Sequence, residues 1–178
     1  MLQSPAFLYH WERGPAPVTR VGGRVPLGAW EIASKLSFYL WQTMPDSELF
    51  AAAEAGTLTS ATEIEKHARR LLASPRADRV FDRFHREWLH LANAWPKNGD
   101  RYPLWTGGTD IAAVNDVINS LRTVLRTGDG TWSALLTTRQ AFVNEQLAKV
   151  YGLTGVVGQN QSVTLDAATR PGLLTRLG

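Results

Sequence analysis

RADRVFDRFHREWLHLANA, Arg76 to Ala94, decides how this sequence folds. Ala77, Val80, Phe81, Phe84, Trp88, Leu91 and Ala92 recur at three and four, the repeat of one helical face. Arg76, Arg79, Arg83, Arg86 and His90 fall on the opposite face, and His85 lies at the edge of the apolar stripe. His85 and His90 are separated by roughly 140° around the axis, so one helix cannot aim both at one ion, and the spacing is not that of an HExxH zinc site. The stretch therefore reads as a core helix without a metal site. Arg83 with Glu87 and Asp82 with Arg86 are expected as i,i+4 pairs. Trp88 is expected to be buried, so that its truncation costs about 3 to 5 kcal/mol, while His90 faces solvent.

Outward from this helix the pattern stays helical. Ala29 to Gln42 is apolar on nearly every side, as in a central, enclosed helix. Pro45 and Asp46 open a short helix that stops at Gly56. Ser60 and Glu63 form a capping box before the stripe Ile64, Ala68, Leu71 and Leu72, which Pro75 ends. After a Pro/Gly-punctuated loop over 95–108, Thr109 or Asp110 caps a helix with Ile111, Val114, Ile118, Leu121 and Leu125 on one face and a stop at Gly128. A short WSALL segment, the helix FVNEQLAKVYG and one strand candidate at Ser162 to Leu165 complete the chain. The expected fold is all-α, a single compact bundle of about six to eight helices with long Pro/Gly-rich loops and little or no β. Its expected parts are an N-terminal arm and loop over 1–27, a helical domain over 28–155 and a C-terminal extension over 156–178.

With 178 residues, 44% apolar and 20% charged, the composition is that of a folded globular protein. A net charge of +3 does not argue for nucleic acid. The absence of cysteine removes disulfides, thiolate nucleophiles, Cys-ligated zinc and covalent c-type haem, and no cofactor is expected in this chain. The first residues lack the features of a secretory signal, and no apolar run approaches the length of a membrane span.

Two surfaces are candidates for binding. Trp95, Tyr102 and Trp105 beside Asp100 and Arg101 can stack on and hydrogen-bond a sugar, or the rings can anchor an irregular loop on the helices. The stripe Arg76, Arg79, Arg83 and Arg86 can hold phosphate or acidic polysaccharide, or it can be a solvated helix face. For an enzyme acting on polysaccharide or an ester, Asp100, Glu31 and Glu145 are the carboxylates available as acid or base, unless Glu31 pairs with Lys35 and Glu145 is buried at a helix end. No P-loop, GxGxxG or GxSxG occurs.

Five segments together, SPAFLYHWE, EIASKLSFYLWQTMPDSELFAAAEAGTLTS, RRLLASPRADRVFDRFHREWL, FVNEQLAKVYGL and RPGLLTRLG, resemble in order the domain-of-unknown-function family fifteen-ninety-two. That family occurs in large exported bacterial proteins that often carry a c-type cytochrome domain. The resemblance implies a middle module, periplasmic or extracellular, with neighbouring modules of a larger protein as partners. Two departures stand out: the family's acidic pair on the later long helix is Asn115 and Asp116 here, and His10 replaces the usual arginine. The family brings no settled activity. The expected function is a non-catalytic scaffold or glycan-contacting module, with polysaccharide-active enzyme and anion binder as alternatives.

Overall fold

A computed structural model describes residues 23–91 and 98–176, together with 9, 12, 14 and 20. The chain divides into two compact units, Met1–Phe81 and Asp82–Gly178, rather than the single bundle expected.

In the first unit, helices α1 (Ala29–Trp41), α2 (Ser47–Glu54) and α3 (Ala61–Leu72) surround a core of Ala33, Trp41, Leu49, Ala53, Leu58, Leu71 and Ala77. Asp46 and Ser60 cap the helices they precede, as expected from sequence, while the Glu63 carboxylate of the expected capping box accepts from Lys66. Asp46 accepts from the Leu49 N–H at 3.0 Å and Ser60 Oγ from the Glu63 N–H at 3.2 Å, so each helix starts where an acceptor meets its otherwise unpaired N–H groups. Helix α1 is not enclosed as expected. Ala33, Ser37 and Trp41 are buried along one side, while Trp30, Phe38 and Tyr39 are exposed.

Helix α4 (Pro75–Trp88) crosses the boundary between the units and is shorter than the expected 76–94, because His90 turns left-handed at φ 55°. Its apolar stripe is also misread by periodicity alone. His85 is buried, whereas Phe84 is 59% and Trp88 45% exposed. Trp88 stacks on Phe84 at 6.2 Å and meets Trp132 edge-on at 6.1 Å, so part of its contact is with other exposed rings. The expected cost of truncation falls accordingly: Trp88→Ala should destabilise by less than about 1.5 kcal/mol in a denaturant melt, the scale of an exposed aromatic pair, and not by the amount of a buried ring. A loss of 3 kcal/mol or more would contradict this placement.

The second unit is built on α5 (Thr109–Arg122), which continues through a π-helical turn at Thr123–Thr127 to Gly128, followed by α6 (Trp132–Thr137) and α7 (Glu145–Val150). The all-α expectation is wrong here. Strands β1 (Gln140–Val143) and β2 (Gln161–Thr164) pair antiparallel with Gln140 opposite Thr164 and Val143 opposite Gln161. Among the described residues the fold is mostly helical, with seven α-helices and 56% of these residues helical, plus this two-stranded sheet. The segment read as the start of a helix is a strand because Ala141 and Val143 point into the core with a period of two, and Asn144 delays the helix by accepting from the Leu147 N–H at 2.9 Å. Val143, Leu147 and Leu165 pack with Ala112 and Ala113 of α5, so residues well past 155 are part of this core.

Candidate functional site

Packing fixes which side of α5 stays free. Ala113, Val117 and Leu121 are buried in the second unit, which turns Asn115, Asn119 and Arg122 to another side. There they meet the last turns of α4. Arg122 forks onto Asp82 with bonds of 2.8 and 2.6 Å, and Arg86 donates to Asn115 Oδ1 at 3.0 Å. As the numbers rise on α4 they fall on α5, so the two segments run antiparallel. Asp82 is thus held by an arginine forty residues away, not by Arg86 as expected.

Phe142, Asn144 and Gln146 at the β1–α7 junction form a further wall, and Gln159 and Asn160, leading into β2, close the site. Asn160 adopts a left-handed backbone at φ 57°, tolerated best by asparagine among residues with a side chain, and accepts from Asn119 Nδ2 at 2.7 Å. Gly108, the residue before α5, lines the groove at φ +88°, where a side chain would be strained. The result is a groove of about 480 Å³. Six primary amides converge on it: Asn115, Asn119, Asn144, Gln146, Asn160 and Gln159. Ile118 and Phe142 supply apolar lining, and a depression of about 160 Å³ shares Asn144, Gln146 and Gln159 with it.

Beneath the groove lies a buried ionic node. Asp116, fully buried, accepts from the Phe142 N–H at 2.7 Å, the Tyr151 hydroxyl at 2.9 Å, and Arg176 Nη1 at 3.1 and 3.2 Å. Arg176 also donates to the carbonyls of Gln140 at 2.7 Å and Thr138 at 3.2 Å. Arg176 therefore joins α5, β1 and the segment after α6. Arg170, in the same C-terminal segment, lies over the Tyr151 ring at 4.5 Å. Asn115 and Asp116, noted in the sequence as departures, thus have different places: one faces the groove, the other is buried.

The residues singled out from sequence are spread more widely. Trp95 lies outside the described residues. Asp100, Arg101 and Tyr102 are exposed, with the Arg101 guanidinium 5.9 Å from the Tyr102 ring, whereas Trp105 packs against the core of the second unit as a loop anchor. Of the arginines, Arg76 lies over Trp41 at 4.9 Å, Arg79 is exposed, Arg83 pairs with Glu87 at 2.9 Å, and Arg86 lines the groove. Glu31 accepts from the N–H groups of Gly28 and Gly14, while Lys35 pairs with Glu12 instead of Glu31. Glu145 is exposed and accepts from the Gly158 N–H at 3.1 Å, not buried at a helix end. The amides were missed. The signals that point to them are the i,i+4 pair Asn115 and Asn119 and the run GQNQ from Gly158 to Gln161. Among the described residues no group of three His, Asp or Glu is placed to hold a metal ion, and no helix is long and apolar enough to cross a membrane.

The first unit holds a second polar cluster. Arg70 forks onto Asp46 at 2.7 and 3.1 Å and reaches Glu48 at 3.1 Å, and buried His67 sits beside Glu48 and Glu63. The Arg70 hydrogen bonds hold the Asp46 carboxyl below the usual aspartate range, with the Leu49 N–H acting in the same direction, and Asp46 in turn raises Arg70. Because the folded value of Asp46 is depressed, its contribution to stability is fully present above the unfolded aspartate pKa, about 3.9, and is lost as pH falls through the folded value. Asp46→Asn should therefore lower stability at neutral pH and flatten the acid limb of stability against pH below about 4. An unchanged acid limb would contradict the pairing.

The fold and groove define a mostly helical, two-unit protein with an amide-lined groove beside a small antiparallel sheet. The chain belongs to the family described as "Protein of unknown function (DUF1592)", whose model matches residues 27–153. No curated protein and no solved structure matches it.

Proposed function

We propose that this protein is a non-catalytic, glycan-contacting module, and that the amide-lined groove of its second unit is where an oligosaccharide lies. The convergence of six primary amides carries this reading. A primary amide presents two donors and an acceptor in one plane, matching sugar hydroxyls that also donate and accept. Ile111, which is exposed, and the half-buried Phe142 give the C–H faces of a sugar ring an apolar surface. The volume is that of a small-molecule site. Of the carboxylates named for an enzyme, Glu145 accepts from Gly158 and Glu31 from the start of α1, Asp100 lies on an exposed loop and does not line the groove, and Asp82, the carboxylate that does line it, is held by Arg122. The resemblance adds the setting, one module of a larger exported protein.

A polysaccharide and oligosaccharide array, followed by calorimetry and product analysis, tests the reading. Gln146 and Gln159 are exposed, so the double variant Gln146→Ala, Gln159→Ala should keep its melting temperature and lose at least about tenfold in affinity. The bound sugar should be recovered intact. Binding unaffected by the double variant would remove the groove from the account, and shortened products would replace the binder with an enzyme.

A further inference from the structure

We infer that the groove selects an acidic glycan, with the guanidinium of Arg86 receiving the carboxylate of a uronic acid residue. This rests on the groove being the glycan site and names the class of sugar it takes. Two guanidiniums and one carboxylate line the groove, but they are not equivalent. Arg122 uses Nε and Nη2 on the two oxygens of Asp82, which closes that pair on itself. Arg86 engages only the neutral Asn115 through Nη2, and among the described residues it pairs with no carboxylate. One positive charge is therefore left over in a groove otherwise lined by neutral amides and apolar carbon.

The Asn115 bond holds the guanidinium plane by one edge and leaves its other N–H groups for a ligand. A planar carboxylate matches such a fork with two parallel charge-assisted hydrogen bonds, which adds orientation as well as attraction. Arg76, Arg79 and Arg83, on the same helix, have no part in this groove, so the anion reading contracts from a stripe to one residue.

The test compares, on the whole chain, a uronic acid oligosaccharide with the same oligosaccharide after its carboxyl groups are reduced to primary alcohols. The two differ only at the acid. The acidic form should bind at least about tenfold tighter at low salt, the preference should shrink as salt is raised, and Arg86→Gln should reduce it to near unity while retaining the affinity for the reduced form. Arg83→Gln, whose parent residue pairs with Glu87, should leave the preference intact. The wild-type comparison stands even where a variant fails to fold. Equal binding of the two forms overturns the acidic selectivity and leaves the glycan groove standing. Binding of neither form, with neutral members of the array also silent, overturns both.

Discussion

Arg176→Ala should destabilise the second unit by about 3 to 5 kcal/mol, because it strands the fully buried Asp116 carboxylate without its cation. The Phe142 N–H and Tyr151 hydroxyl would remain, but the carbonyls of Gln140 and Thr138 would lose their donor as well. Asp116→Asn should cost less than Asp116→Ala, since an amide still accepts from Phe142 and Tyr151. A double-mutant cycle between Asp116 and Arg176 isolates the coupling from the packing each side chain provides. Denaturant melts provide the measurement. A loss below about 1 kcal/mol for Arg176→Ala would show that the node is not formed. The family match ends at Leu153, yet β2, Leu165 and Arg176 supply the sheet partner, core and counter-charge for residues inside it, so the physical unit extends past the match.

The second large effect is expected in the first unit. Trp41 is buried, donates its Nε1–H to the Leu71 carbonyl at 2.9 Å, and has the guanidinium of Arg76 over its ring at 4.9 Å and that of Arg70 at 5.9 Å. Trp41→Ala should cost about 3 to 5 kcal/mol, combining lost burial with the cavity left behind. Trp41→Phe keeps most of the apolar volume and leaves the Leu71 carbonyl without this donor, so its cost should be about 1 to 3 kcal/mol. If both variants melt like the parent, Trp41 is not the centre of this core.

Local signals act over one turn of chain and are legible at several helix ends, though not at α5, where Gly108 without a side-chain bond, and not Thr109 or Asp110 as expected, is the N-cap. Asp46 and Ser60 cap the helices they precede, and Gly128 follows the last turn of the α5 continuation. Signals that depend on a distant partner were not legible. The strand near Ser162 was recognisable, but its mate at Gln140–Val143 begins a segment that continues as a helix, so periodicity merged the two. On α4, aromatic spacing implied burial of Phe84 and Trp88, whereas the tertiary pairs of Asp82 with Arg122 and Arg86 with Asn115 set the rotation of the helix. The groove was hidden for a related reason. Its amides come from α5, the start of α7 and the loop before β2, and isolated Asn and Gln residues carry no spacing motif that joins them.

The most direct test of the glycan groove is a titration followed by the side-chain NH₂ resonances of the protein. With a uronic acid oligosaccharide, saturable shifts should concentrate on Asn115, Asn119, Asn144, Gln146, Gln159 and Asn160 and on the guanidinium of Arg86, while the ring signals of Tyr102 and Trp105 stay in place. Shifts confined to the aromatic loop, or no saturable shift with any member of the oligosaccharide array, would contradict it.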